Sequence, residues 1–523
     1  MDRRSLYKAL CQPECYPESP TNITHIETHI SHLFFTDQHV YKVKKPVDFG
    51  FLNFTSLDRR RFYCEEEIRL NRRFCAGIYL KVAEIRRCGN RIRIDGEGDI
   101  IDYAVVMQRL PAERMLEHLL EIGDTELPKA MDRLASRLAR LHQHADICRG
   151  TGGRSDLETI RFNWQENLQQ MAPFVETTLT SCGQTYIRAY VERFLADHSE
   201  LILQREDEGL VRDGHGDLHA QNICLTEKIC IYDCIEFNQR FRVADLAADV
   251  AFLLMDLDFR DRRDLAGRFW SVYLKHFSKP ADWNVLLPFY KVYRAYVRGK
   301  VNTFLAADTQ VDAAERMNAH HRARRYFNLA LGYLGRPAMI LTCGLMGAGK
   351  TSVARPLAKC LDSVLLRSDE IRKGLAGLAP ATKVADSFQT GLYAAEMTER
   401  TYDALLERAM IALRNNRTVI IDASFAKEAQ RGRFRAEARQ LGVPFLLVYL
   451  TCDQATLLAR LDQRMSQPDE ASDGRRELLA QQAAEFEIPH GGSGTICIDA
   501  LQDVDYNVTL ILCALLEQEG TPR

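Results

Sequence analysis

The sequence predicts two kinds of fold on one chain: an α+β part, in which a small antiparallel sheet precedes a larger helical lobe, then an α/β part with a parallel sheet between layers of helices. Three observations carry this. The segments THIETHISHLFFT and HVYKVKKPVDF alternate apolar and polar residues, a period of two that argues half-buried strands. From Leu116 onward the period becomes helical, as in RLASRLARLHQHA and RDLAGRFWSVYLKHF. Further on, the short apolar runs VLL, TVII, PFLLVYL and TICI recur with helical segments between them, the pattern of strands paired in parallel through helical crossovers.

A length of 523 residues suits about three compact units at roughly 150 residues each, and 46% hydrophobic residues is ordinary for globular proteins. Lys and Arg number 69 against 71 Asp and Glu, so a net charge of −2 offers no general attraction to nucleic acid or to an anionic membrane. The longest apolar runs, FLLVYL and LILCALL, are far short of a membrane span, and MDRRSLYKALCQPECYPESP lacks the apolar centre of a signal peptide. The expectation is a cytoplasmic protein with no membrane partner. Fifteen cysteines without C-x-x-C spacing read as reduced core residues, while the short spacing of Cys11 and Cys15 leaves room for a metal or a disulfide there.

A boundary is written into the chain. The polar helix-like stretch AAERMNAHHRARRYFNLALGYL ends at Gly335 and Pro337, a helix stop followed at once by a strand. The expected domains are therefore 1–335 and 336–523.

Within the first, VRDGHGDLHAQNICL sets His215, Gly216, Asp217 and Asn222 in the spacing H-G-D-x-x-x-x-N, and the apolar run ICIYD ends in Asp233. One carboxylate to take a hydroxyl proton, with an amide and a second carboxylate to hold magnesium, is most of what phosphoryl transfer asks of a protein. This arrangement resembles the aminoglycoside phosphotransferase and choline kinase-like family, relatives of protein kinases, over most of residues 20–330. The resemblance implies a protein-kinase-like two-lobed domain in which Asp217 is the catalytic base, Asn222 and Asp233 are metal ligands, and His215 braces the loop. It implies that Asp245, in FRVADLAADVAF, steadies the same loop. The sheet lobe should supply a nucleotide lysine, Lys42 or Lys44, which alternation puts on one strand face, with Lys42 favoured. Its partner would be a helix glutamate, Glu67 of the run Glu65 to Glu67, and YAVVMQRL would be the hinge that meets adenine. No G-x-G-x-x-G loop precedes the lysine strand.

The second domain opens on AMILTC, then GLMGAGKT at 344–351, then the helix-like SVARPLAKC. In G-x-x-x-x-G-K-[ST], Gly344, Gly347 and Gly349 allow backbone angles that aim successive N–H groups at one anion; Lys350 reaches the outer phosphates and Thr351 coordinates magnesium. Ala348 and Ser352 complete the nucleotide-binding run. In LLRSDEIRKGL, Asp369 stands at a strand end with Arg372 three residues on, so both can face one cleft. With TVIIDASF, these features resemble predicted P-loop kinases related to polynucleotide 5′-kinases, zeta-type toxin kinases and gluconate or adenylylsulfate kinases, over about residues 338–515. The resemblance implies that Asp369 is the general base, Arg372 an anchor for substrate or phosphate, and Asp422 a carboxylate near the magnesium shell. Arg460 and Arg464, four apart on one helix face, suit lid arginines that clamp the phosphoryl group, and Tyr393 and Glu396 could touch the acceptor.

The expected activity is a kinase with ATP and Mg2+ as cofactors, both halves phosphorylating a hydroxyl of a small molecule. Two other readings stand beside it: one active head with a regulatory P-loop half, or a C-terminal half acting on nucleic-acid 5′ ends. The near-neutral charge weighs against the last.

Overall fold

The computed structural model describes residues 3–379, 382, 390–465, 476–492, 494–518 and 520. By contacts the chain forms two compact units, 1–164 with 197–291, and 165–196 with 292–523.

The first unit carries a six-stranded antiparallel sheet: β1 (Thr24–Glu27), β2 (Ser31–Phe35), β3 (His39–Lys44), β4 (Tyr79–Cys88), β5 (Arg91–Ile94) and β6 (Asp99–Gln108), in the order β1-β2-β3-β6-β4-β5. Alternation along β3 sends Tyr41 and Val43 into one apolar core with Phe34, Ala104 and Val106, while Lys42 and Lys44 point to the other face. Between β3 and β4 lies the Leu57–Asn71 helix, started by Ser56, whose hydroxyl accepts the N–H of Arg59. The stretch read as an adenine hinge is mostly strand. Tyr103 to Gln108 close β6, and because β6 lies between β3 and β4 its backbone is engaged on both sides, so the chain leaves the sheet only at Arg109.

Short antiparallel pairs frame the H-G-D loop: β7 (Val211–Asp213) with β10 (Val243–Asp245), and β8 (Ile223–Cys224) with β9 (Cys230–Ile231). Under the loop runs the Leu246–Phe259 helix, LAADVAFLLMDLDF, buried at every position but its last. A helix that is buried on all sides lies in the interior of a lobe, and its three aspartates, Asp249, Asp256 and Asp258, need partners there. The expectation of wholly reduced cysteines is corrected here: Cys75, just past the Leu57–Asn71 helix, is bonded to Cys230 on β9, their Cα atoms 5.3 Å apart. Cys11 and Cys15 are free.

The second unit holds a five-stranded parallel sheet of β11 (Met339–Cys343), β12 (Val364–Arg367), β13 (Val419–Asp422), β14 (Phe445–Thr451) and β15 (Thr495–Asp499), ordered β12-β13-β11-β14-β15. β11 is central and buried throughout, as a parallel strand covered on both faces must be. The Ala313–Gly332 helix belongs to this unit: Asn328 donates to Asp505 O at 2.8 Å and accepts from the Thr509 hydroxyl at 2.6 Å, both on the Val504–Gln518 helix. Gly332 is required by a close crossing, since a Cβ there would stand 2.3 Å from Cys360 O. Among the described residues no helix is long and apolar enough to cross a membrane.

Candidate active sites

In the first unit the loop between β7 and β8 is clamped from below. Asp249, on the first turn of the Leu246–Phe259 helix, accepts the N–H of His215 and of Gly216, each at 2.8 Å, and His142 Nε2 lies 3.2 Å from it. Burial alone would raise the Asp249 carboxyl, but the His142 hydrogen bond and charge and the loop N–H groups hold it well below the usual carboxylate range. Two helical turns on, Asp256 accepts the N–H of Ala220 at 2.9 Å. The structure thus corrects the reading of Asp245, which caps the helix at Ala247 N and forms a buried bidentate pair with Arg205 at 2.6 and 2.8 Å. Asp245 precedes the helix as its cap, so its two oxygens are taken by Ala247 N and Arg205, and it is Asp249, inside the first turn, that meets the loop N–H groups.

Above the clamp, Asn222 Nδ2 donates to Asp217 O at 2.9 Å and Asp217 Oδ2 at 3.2 Å. His219, a residue the sequence reading passed over inside the same motif, places Nε2 3.3 Å from Asp217 Oδ2. His215 braces the loop through Tyr232 O at 2.9 Å, and its burial keeps the imidazole neutral by lowering its pKa.

Lys42 spans the cleft. Its Nζ donates to Glu67 Oε1 at 2.9 Å and to Asp233 Oδ1 at 2.6 Å. Lys44 takes the other oxygen of Glu67, Oε2, at 2.6 Å and pairs with Glu236. Glu65 and Glu66 face outward onto Arg61 and Arg69, so of the three glutamates Glu67 alone turns in. Burial pushes the Glu67 carboxyl up, but Lys42 and Lys44 outweigh it and bring it to about 2. Asp233 has φ of +63°, a strained setting for a non-glycine residue that aims its half-exposed carboxylate at the cleft. Asn222 and Asp233, an amide oxygen and a carboxylate, are donors of the hard kind that magnesium prefers.

In the second unit the phosphate loop joins β11 to the Lys350–Leu361 helix, whose N-terminus is itself an anion site. Gly344, Gly347 and Gly349 have φ of +141°, +82° and +84°. A Cβ on Gly344 would also stand 2.5 Å from Leu450 O. Lys350 donates to the carbonyls of Gly344 and Leu345 at 3.0 and 2.8 Å, and the Thr351 hydroxyl to Asp422 Oδ2 at 2.6 Å. Asp422 is held on its other oxygen by Thr342 at 3.1 Å. Ala348 packs inward with its N–H on Leu345 O, and Ser352 is exposed on the first helical turn.

A cleft of about 630 Å³ brings together Lys350, Thr351, Asp369, Arg372, Tyr393 and Asp422. Arg372 donates to Asp369 Oδ1 at 3.2 Å and stacks over Tyr393, 4.7 Å from the ring centre. Its buried Nε has no hydrogen-bond partner among the described residues. Arg460 is similar: Nη2 donates to Ala500 O at 2.8 Å, while the buried Nη1 has no partner among the described residues and lies beside Gly349. Buried guanidinium N–H groups left over next to a glycine loop fit an anionic ligand such as a nucleotide phosphate. The side chain of Arg464 lies outside the described residues. Glu396 is exposed and does not line the cleft; Glu399, three residues on and so on the neighbouring helical position, does. Gln482, from the Arg476–Glu485 helix, accepts the N–H of Met346 in the phosphate loop at 2.8 Å, a contact for which the sequence holds no local signal.

Comparison with known proteins adds to this geometry. The phosphotransferase enzyme family matches residues 63–289, and an AAA domain family matches residues 339–489. Uncharacterised proteins of Mycobacterium tuberculosis and Mycobacterium bovis are 28% identical over 463 residues, 88% of this chain and 89% of theirs. Among solved structures, a choline/ethanolamine kinase family protein from Mesorhizobium loti is 14% identical, with a TM-score of 0.37 over 62% of this chain and 94% of its own. A gluconokinase from Sinorhizobium meliloti is 23% identical, with a TM-score of 0.26 over 35% of this chain and 93% of its own.

Proposed function

From a phosphotransferase-family domain and a P-loop kinase domain on one chain, we propose an ATP-dependent kinase with two heads, 1–335 and 336–523, each passing a γ-phosphoryl group to a hydroxyl of a small metabolite such as a sugar or nucleoside in the cytoplasm. The observation that carries this is that each unit, on its own residues, sets a carboxylate fit to take a proton beside separate groups fit to hold Mg2+ and phosphate. Bound Mg·ATP supplies the electrophilic phosphoryl group and neutralises its charge; the protein positions and stabilises.

In the first head Asp217 takes the hydroxyl proton while Asn222 and His219 fix its carboxylate. Asn222 and Asp233 hold the metal, and Lys42, kept charged by Asp233 and Glu67, serves the phosphates. In the second head Thr351 and Asp422 hold the metal, and Lys350 exchanges its two loop carbonyls for phosphate oxygens. Asp369 is the base, and Arg372, over the Tyr393 ring, steers the acceptor with its remaining N–H. Substrate-stimulated ADP release from the full chain, compared with Asp217→Ala and Asp369→Ala, is the test. Each variant should lose the turnover of one substrate; if neither changes the turnover of any accepted substrate, the proposal fails.

A further inference from the structure

The pairing of Lys42 and Lys44 with one glutamate leaves a buried ion pair without a part in the scheme above. Five charged groups alternate in a line, Asp233, Lys42, Glu67, Lys44 and Glu236. The line runs from solvent to interior. The Asp233 side chain is 43% exposed, whereas Lys44 and Glu67 are 0% exposed and Glu236 is 7%. Such burial of two full charges is costly unless each is paired and fixed. A lone lysine and glutamate would satisfy the phosphate-binding role, so the inner pair calls for a reason of its own.

The geometry supplies one. Lys42 is shared between Glu67 and Asp233, and Asp233 is the outermost group of the line. A ligand that engages Asp233 and Lys42 competes for the bond between them, and the hold of Lys42 on Glu67 is then stretched from outside. Glu67 keeps its second oxygen on Lys44 throughout, and Lys44 is pinned by Glu236, three residues beyond Asp233. On the reading of the first head as a Mg·ATP site, we propose that Lys44 and Glu236 are positioning residues: they hold the Glu67 carboxylate, and through it the Lys42 ammonium, in place while Lys42 turns from Asp233 to the nucleotide phosphates. Lys42 is the lysine that meets the nucleotide, and Lys44 never does.

The test removes the inner pair while keeping the net charge of the line. In the full chain carrying Lys350→Ala, which leaves the first site as the one to titrate, binding of magnesium with a β,γ-imido ATP analogue is measured by calorimetry with and without Lys44→Met combined with Glu236→Gln. The double substitution keeps the charge balance but takes Lys44 from Glu67 Oε2, so some fall in the unfolding temperature is expected; at a temperature where the variant is still folded, the analogue should bind at least about tenfold more weakly. Equal binding by parent and variant would overturn the proposal and show a purely structural pair. Should that variant not fold, Lys44→Gln with Glu236→Gln keeps a hydrogen-bonding amide pair and is judged by the same criterion; failure of both to fold would also overturn the proposal, by making the pair a condition of folding. A parent that binds no analogue at all would sink the nucleotide site itself, an outcome distinct from either.

Discussion

At the scale of single residues, the first site rests on Asp249. Both of its oxygens accept loop N–H groups, so Asp249→Asn turns one acceptor into a donor facing a buried N–H. The expected loss is about 2–3 kcal/mol in denaturant unfolding of the first unit, and a fall in turnover of the substrate that also depends on Asp217. Acid acts on the same residues. Asp249 and Glu67 both have folded pKa values below their ordinary ones, so their stabilisation is present above about pH 4.5 and drains away as pH falls towards about 2. Thermal unfolding of the first unit should begin to fall below about pH 6.5, where His215 is protonated only on unfolding, and fall further below about pH 4.5, and Asp249→Asn should flatten the second part of the drop; a drop of unchanged size there would contradict the assignment. The motifs made much of this site legible. H-G-D-x-x-x-x-N fixes which loop carries Asp217 and Asn222, and strand alternation puts Lys42 and Lys44 on one face. Alternation could not choose between them, because both reach Glu67, one from each side. Nor could spacing separate Asp245 from Asp249, the cap and the first turn of a helix buried on nearly every side, where no amphipathic stripe marks a direction.

At the scale of elements, the Leu57–Asn71 helix is tied to the segment around Asp233 twice, through the Cys75–Cys230 disulfide and through Asn71, whose side chain accepts the N–H of Cys234 at 2.8 Å. Alkylation in denaturant should label thirteen cysteines before reduction and all fifteen after it. The bond closes a loop 155 residues long, so its reduction should cost the first unit about 2–5 kcal/mol of stability; fifteen labelled thiols before reduction would contradict the bond. Nothing local in the sequence announces a partner that distant, which is why the cysteines read as reduced. The phosphate loop is the opposite case, a contiguous element whose glycines declare their backbone. Gly344→Ala should abolish nucleotide binding at the second site, because φ of +141° and the approach to Leu450 O both exclude a side chain. The measurement is calorimetric titration of the full chain, with loss of that site and retention of the other.

At the scale of the whole molecule, the sequence signals the change from antiparallel to parallel sheet and the helix stop at Gly335. Periodicity does not show that the polar Ala313–Gly332 helix, on the N-terminal side of that stop, packs with the second unit, since Asn328 and Gly332 act through contacts made far along the chain. A fragment of residues 336–523 therefore bares the face of the Val504–Gln518 helix that Asn328 covers, and it should unfold at a lower temperature than a fragment begun before Ala313. The central claim is that one chain carries two independent nucleotide sites. Its most direct test is native mass spectrometry of the full chain with magnesium and a non-hydrolysable ATP analogue. The account predicts two analogues bound per chain, one after Lys42→Ala and one after Lys350→Ala; a chain that binds one analogue or none before substitution would contradict it.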